Sequence, residues 1–409
     1  MLILLVLYGL LVLLSRKNIV LLLLFSLPFI SVLSIILIAR GDIIEDVEDV
    51  LILVYMFICS TMIILPWGRA KGNMIIKRDD KKIYNIYKIL SIILTYTFVV
   101  LGVVALVVAV LVGGNIQSFK YEGDYNKFYY TMLPFDVHFY MLAMILYQYA
   151  YVMIPLCFYF LQINDKRRVI KCFILSLNVL LYGLTYFSRW AFINFILVYV
   201  FMFLLFRKNI SEYYKKKIKK IALILGSVLG VIFVSISVSR FSDGDIYGDN
   251  VISPDSYIQN PTVYSFLDYL GQSNEVGHAL LKSYEGKNFG GQKAFSQVWG
   301  FLATFGLFEV GNPKLAQKTQ DLYGRYSSNF NGFACGNVYD FGYIFGTLIV
   351  FIYFFLVKQR VRKSSVSFNE CCAISFLSQM PLLSVFFTAA PTIAFLYFSY
   401  IPIYLYLKK

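Results

Sequence analysis

The sequence predicts an all-α polytopic membrane protein with about 11 transmembrane helices and one large external loop. The composition is 59% hydrophobic and 18% aromatic with only 15% charged residues, and the mean hydropathy is +0.69. Apolar blocks of helix length recur along the chain, and basic residues concentrate in alternate loops between them. A soluble domain does not combine such hydropathy with such periodicity, so a bundle of membrane-spanning helices is expected.

Eleven apolar blocks account for most of the sequence. Most of them have the ~17–25 residues that cross ~30 Å of hydrocarbon as an α-helix. Residues 1–238 are predicted to carry spans 1–8, residues 239–338 the external loop, and residues 339–409 spans 9–11. The blocks comprise residues 1–14, 19–39, 50–66, 89–111, 140–161, 169–187, 190–206, 221–238, 341–357, 371–387 and 393–407.

The charges in the loops predict the topology. When alternate loops are assigned to the inside, 26 of the 37 Lys and Arg residues fall there, and most acids fall outside. Positive residues mark cytoplasmic loops, so we expect the N-terminus outside and the C-terminus in the cytoplasm. Residues 295–310 are apolar enough to enter the membrane, but a full crossing would reverse the loops that follow. An interfacial or re-entrant helix is therefore predicted for that segment.

The net charge of +14 does not indicate nucleic-acid binding, because the basic residues are spread over short loops rather than one surface. The six cysteines, five of them in or beside apolar blocks, predict no disulfide framework, and no Cys/His spacing resembles a zinc site. No metal and no cofactor are predicted.

Three arginines are candidates for binding an anion at the outer face. Arg189 lies where two apolar blocks meet in a tight hairpin, Arg240 follows the eighth block, and Arg325 lies in the distal part of the large loop. Guanidinium groups present a planar fork of donors that matches phosphate. The alternative is that these side chains only extend to the membrane interface.

A polar stripe marks residues 264–284 of the large loop. Helical spacing places Asp268, Gln272, Glu275, His278 and Lys282 on one face of an amphipathic helix. The stripe is consistent with a solvated face. It is also consistent with Glu275 or His278 acting as a general base, because both titrate in a usable range.

The ninth block opens with Asn-Val-Tyr-Asp-Phe-Gly-Tyr-Ile-Phe-Gly. Asp340 is predicted at the positive end of the helix dipole, as a cap or as an acid–base group. Gly342 and Gly346 have the spacing of small residues that let another helix approach closely.

Three local features together carry a resemblance to a known family. They are the arginine in Ser-Arg-Trp-Ala-Phe-Ile-Asn-Phe-Ile-Leu-Val-Tyr, the arginine that opens the large loop, and the segment Tyr-Asp-Phe-Gly-Tyr-Ile-Phe-Gly. The chain resembles the bacterial Wzy-type polymerases of O-antigen or oligosaccharide repeat units. That resemblance implies a GT-C-like glycosyltransferase of the bacterial cytoplasmic (inner) membrane. It would join undecaprenyl-pyrophosphate-linked repeat units on the outer face, without a metal, and cooperate with a flippase and a chain-length regulator.

By the same resemblance, Arg189, Arg240 and Arg325 would hold the pyrophosphate, and Tyr339 and Asp340 would belong to the substrate site. The general base stays open among His278, Glu275 and Asp340.

Other functions are also considered. The first is a metal-dependent GT-C transferase that uses polyprenyl-phosphate sugars. The second is a flippase or transporter of lipid-linked sugars, although few polar residues lie inside the apolar blocks. The third is a structural or sensory membrane protein. The acids available to a metal are Glu45, Asp46, Glu48 and Asp49 in the first external loop, and Asp243 and Asp245 in the large loop.

Overall fold

The computed structural model describes residues 1–38, 44, 46–112, 132–241, 252, 255–304, 312–323, 331–386 and 389–408. Within these residues the chain is almost entirely helical, and its one sheet is a two-residue parallel pair of strands. The prediction of an all-α membrane protein is therefore confirmed at that level.

The helices begin and end as follows: α1 Leu2–Leu14, α2 Ile19–Leu37, α3 Val47–Ile64, α4 Asp80–Val112, α5 Val137–Leu146, α6 Ala150–Gln162, α7 Lys166–Ser176, α8 Asn178–Thr185, α9 Arg189–Phe206, α10 Glu212–Phe241, α11 Pro261–Lys282, α12 Ser296–Thr304, α13 Asn312–Tyr323, α14 Gly332–Val361, α15 Phe368–Leu383 and α16 Ala390–Lys408. The strands are β1 Ile75–Ile76 and β2 Ser365–Val366. Short 3₁₀ turns cover Ser15–Lys17, Leu65–Arg69, Tyr147–Tyr149 and Arg207–Asn209.

Eight helices or helix pairs in the described part of the chain are long and apolar enough to cross a membrane. In the described residues, each of the eleven apolar blocks falls on one helix or on two consecutive helices. Three of these blocks are not among the eight candidate membrane spans. They lie on α1, α10 and α15, and α1 and α15 have only 13 and 16 residues, respectively. The count of 11 spans and the orientation of the termini remain predictions. The eight candidate spans are Ile19–Leu37, Val47–Arg69, Asp80–Leu111, Val137–Gln162, Lys166–Thr185, Trp190–Asn209, Gly332–Val361 and Ala390–Lys408.

The chain divides into two compact units. The first comprises Met1–Lys71, Tyr247–Lys363 and Phe376–Phe398. In it α11 packs against α2, α3 and α14. The buried indole of Trp67 donates to the Tyr353 hydroxyl at 3.1 Å, and that hydroxyl donates to the Leu377 carbonyl at 2.9 Å. These bonds connect the chain after α3 to α14 and α15.

The second unit comprises Gly72–Ile246, Ser364–Ser375 and Ser399–Lys409. Its helices pack α4 against α8 and α6 against α7, and β1 pairs with β2. Buried amides connect the helices, since Asn194 donates to the Tyr151 hydroxyl at 2.8 Å and Asn178 to the Leu94 carbonyl at 3.1 Å. A polar group inside an apolar bundle needs such a partner.

Candidate functional site

Helix α11 carries the polar stripe of the large loop, and it packs directly against two candidate membrane spans. A side chain at Gly271 would lie 2.9 Å from the Ile35 backbone nitrogen of α2, and one at Gly277 would lie 3.3 Å from Met56 of α3. The Ser31 hydroxyl of α2 donates to the Leu270 carbonyl at 2.7 Å. The two glycines therefore allow α11 to approach closely. The close packing buries much of the helix.

This packing decides between the two interpretations of the stripe. Asp268 is 5% exposed and His278 is 4% exposed, so the stripe is not a solvated face. Glu275 is half-buried, and only Lys282 at the end of the helix is exposed, with 34% of its side chain accessible. Burying ionisable groups is costly unless they are paired, which directs attention to their partners.

His278 lies against a carboxylate from the first acidic loop. Its Nε2 atom is 3.1 Å from Oδ1 of Asp49, and the Asp49 side chain is fully buried. The Lys282 amine lies 2.9 Å from the same oxygen and 3.3 Å from Oδ2 of Asp46. We name Asp46, Asp49, His278 and Lys282 the acid–histidine cluster. It runs from exposed groups at Asp46 and Lys282 to buried groups at Asp49 and His278.

Local sequence fixes the carboxylates of this cluster. Asp46 caps α3 by accepting the Asp49 N–H at 2.9 Å, and the second oxygen of Asp49 accepts the Asp46 N–H at 3.2 Å. This reciprocal cap satisfies two donors at the start of α3 and holds Asp49 toward α11. The acidic loop thus supplies a buried partner for His278.

Electrostatics favour a neutral His278. Burial lowers the pKa of its imidazole, Lys282 and the Met1 amino group lower it further, and the Asp49 carboxylate opposes the shift. Hydrogen bonding to Asp49 raises the pKa of Lys282. A carboxylate only accepts hydrogen bonds, so the contact with Asp49 favours the neutral tautomer whose proton is on Nε2. The Nδ1 atom is then the one that can accept a proton.

The Asp340 carboxylate stabilises the turn before α12. Its carboxylate accepts the backbone N–H groups of Lys293 at 3.1 Å and Ala294 at 2.5 Å, and its side chain is buried. These donors belong to the turn before α12, so Asp340 does not cap the helix that the sequence predicted after it. Two helical segments of α14 meet at the non-helical Gly342, and this break coincides with the predicted start of the ninth apolar block at residue 341.

A sharp reversal at Gly342 explains the motif that follows Asp340. Gly342 has φ 77° and ψ 168° inside α14, a conformation almost confined to glycine. The Asn337 amide donates to the Gly346 carbonyl at 2.5 Å. Residues nine apart in a straight helix would be ~13 Å apart, so the two halves fold back on each other. The prediction that Gly342 and Gly346 form one packing face for another helix is wrong for Gly342.

Tyr339 connects the reversal to α11. Its hydroxyl donates to the Leu280 carbonyl at 2.8 Å, and its ring packs against Tyr284 and Tyr323. The residue is buried, so it positions α11 next to the residues before the reversal. Its predicted contact with substrate remains a prediction.

The three predicted arginines are described only in part. Arg189 begins α9 in the second unit after a tight turn at Phe187, which has φ 47°, so the predicted hairpin is confirmed. Arg240 lies in the last turn of α10 rather than in the loop after it. The side chains of both, and all of Arg325, lie outside what the structure describes.

Two of the six acids named for the metal-dependent alternative have basic partners. Asp46 and Asp49 pair with Lys282 and His278, while Glu45, Asp243 and Asp245 lie outside the described residues. In the described residues, no three His, Cys, Asp or Glu side chains are grouped closely enough to hold a metal ion.

Comparison with known proteins finds no matching family model, no matching curated protein and no matching solved structure. The site is therefore interpreted from its own geometry.

Proposed function

We propose that this membrane protein is a glycosyltransferase that polymerises undecaprenyl-pyrophosphate-linked oligosaccharide repeat units on the outer face of the bacterial cytoplasmic membrane. The observation that carries the proposal is the pairing of the buried Asp49 carboxylate with His278. A neutral imidazole oriented by a carboxylate is a common general base. Ionisable groups with a shifted pKa are concentrated at active sites, and burial lowers the pKa of His278.

In the proposed reaction, Nδ1 of His278 removes the proton from the acceptor hydroxyl. The hydroxyl oxygen then bonds to the anomeric carbon of the donor sugar, and the bond from that carbon to the diphosphate breaks. The diphosphate leaves with the electron pair, and positive side chains stabilise its charge. Asp49 does not touch substrate in this scheme; it is a positioning residue that holds the imidazole tautomer.

His278 is favoured over the two other candidate bases. Two backbone N–H groups occupy the Asp340 carboxylate, which suits a structural anchor. Glu275 is half-buried on the same helix, and its role as base remains the less favoured alternative. The arginines keep their proposed role at the pyrophosphate, which rests on the resemblance alone.

The function is tested by the lipid-linked glycan that accumulates in cells without this protein. The proposal expects a single repeat unit on its carrier at the outer leaflet, and long chains when the gene is restored. Carrier-linked units confined to the inner leaflet would instead indicate a flippase. Unchanged glycan would contradict both functions.

The role of His278 is tested in the same cells with His278→Gln and Asp49→Asn. Loss of a general base lowers the rate by ~10²–10⁴, so His278→Gln should abolish long chains. Lys287→Met is the matched control, because Lys287 is exposed and pairs only with the nearby Glu285 in the described residues. Long chains of normal amount in His278→Gln would refute the role of His278.

A further inference from the structure

A second group of charged residues in the first unit lies next to Asp340. The Lys293 amine is 3.9 Å from the centre of the Tyr323 ring and 5.2 Å from that of Phe289. The Lys318 amine lies 5.7 Å from the centre of the same Phe289 ring. Both rings are buried, and they contact each other edge to face at 5.5 Å. We name these four residues the lysine–aromatic cluster.

The backbone of Lys293 is fixed at one end of a candidate membrane span. Its N–H donates to the Asp340 carboxylate at 3.1 Å, and the Gly291 N–H donates to the Asp340 carbonyl at 2.9 Å. Asp340 immediately precedes the reversal at Gly342, after which α14 continues to Val361. That second part has the length of a membrane crossing. Its first residues therefore lie near the depth of lipid headgroups, where phosphate groups are found.

Neither amine is neutralised within the described residues. Lys282 pairs with Asp46 and Asp49, Lys215 with Glu212 and Lys287 with Glu285. In the same part of the chain, no carboxylate lies within 4.0 Å of the Lys293 or Lys318 amine. The aromatic faces attract an ammonium group only weakly.

Burial lowers the pKa of Lys293 to about 8, although Cys335 and Asp340 act in the opposite direction. The charged form is thus kept in a poorly hydrated position without a counter-charge at contact distance. An anion bound to the Lys293 amine would remove this cost, and lysine binds phosphate well as a point charge.

We propose that the lysine–aromatic cluster binds a phosphate group at the membrane boundary. Two amines beside one buried ring, that of Phe289, suit an anion with more than one negative charge, such as a diphosphate. The identification of this anion with the diphosphate of the lipid-linked substrate rests on the proposed function. The phosphate site itself does not, because a phospholipid headgroup has the same chemistry.

The test measures how fast individual lysines of the purified full-length protein are acetylated, read by mass spectrometry in phosphate-free buffer. Geranyl diphosphate is the soluble probe of a lipid diphosphate. Bilayers of phosphatidylcholine, alone or mixed equally with phosphatidylglycerol, probe the phospholipid headgroup. Lys287 is the internal control, because it is exposed and close in sequence.

We expect the anion to slow acetylation of Lys293 and Lys318 but not of Lys287. Protection by geranyl diphosphate supports a diphosphate of the substrate type, and protection by phosphatidylglycerol alone supports the site with a phospholipid as its ligand. Equal acetylation with and without both probes would overturn the proposal.

The affinity of lysine variants for geranyl diphosphate supplies a second measurement. Loss of one charge-assisted contact weakens binding about tenfold or more, so Lys293→Met and Lys318→Met should bind geranyl diphosphate that much less tightly than wild type. Lys293→Arg retains the charge and should retain most of the binding, and Lys287→Met should bind as wild type does. Wild-type affinity in both methionine variants would contradict the site even if labelling changed.

Failure of this inference is separable from failure of the proposed function, because neither measurement requires sugar transfer. If the two lysines are protected from acetylation in a protein that makes no glycan, the phosphate site is supported and the proposed function is contradicted. Normal polymerisation with unprotected lysines would overturn only the lysine–aromatic cluster as a phosphate site.

Discussion

Replacing Lys293 by methionine is expected to stabilise the protein at neutral pH. Burial lowers the pKa of Lys293 from 10.5 to about 8. Each unit of pKa shift corresponds to about 1.4 kcal/mol, so the charged form costs on the order of 3 kcal/mol in the folded state. Methionine keeps the contacts with the Phe289 and Tyr323 rings and carries no charge. The lost attraction to the rings offsets about 1–2 kcal/mol of the gain.

The pH dependence of this gain follows from the direction of the shift. The folded pKa lies below the unfolded pKa, so the unfolded state holds the proton over a wider range and wild-type stability rises between pH 8 and 10.5. The advantage of Lys293→Met should be full below pH 8 and should disappear near pH 10.5. Thermal unfolding in detergent, in phosphate-free buffer across this range, measures it, with Lys287→Met as control. A less stable Lys293→Met variant, or a pH-independent difference, would refute the reasoning.

Four further outcomes are expected. Polymerising activity should decline only in acid below pH 6.5, because burial lowers the pKa of His278. In Asp49→Asn the midpoint of this activity loss should move further into acid, because the carboxylate charge that opposes the shift is lost. A midpoint above 6.5 would contradict this role of His278. Gly342→Ala should destabilise the protein by about 1–3 kcal/mol, since φ 77° with ψ 168° is strained for alanine. Gly102→Ala is the control in a thermal unfolding assay, because a side chain there meets none of the described atoms within 4 Å. Tyr339→Phe should lower the unfolding temperature through loss of one hydrogen bond of about 1 kcal/mol while the protein still inserts; an unchanged temperature would argue against that bond. Arg189→Ala and Arg240→Ala should abolish long-chain glycan in a gel of cell-surface polysaccharide with normal insertion, and wild-type chains in both would exclude the pyrophosphate role.

The membrane character of the chain was predictable because insertion depends on local composition. A contiguous apolar segment must form its own backbone hydrogen bonds in lipid, so each of the eleven blocks was expected to be a helix. In the described residues each block is one helix or two consecutive helices. The hairpin before Arg189 was equally local, because two apolar blocks separated by a few residues must turn there. Helical spacing also identified His278 correctly as part of one polar face on α11.

The partners of these residues were not predictable from spacing. Asp49 and His278 lie far apart in the chain, and only the close approach at Gly271 and Gly277 brings α11 onto α2 and α3. The sequence assigned the first acidic loop to a possible metal site, whereas the structure places its buried carboxylate beside the histidine.

The sequence by itself determined which segments are apolar helices and which residues share a helical face, because both depend on neighbours within a few turns. The tertiary structure alone decided that Asp268 and His278 of the polar stripe are buried, that Gly342 reverses the chain, and that two lysines lie beside the Phe289 ring. These outcomes depend on contacts between distant segments. A period of 3.6 residues states which way a side chain points, but not what it meets there.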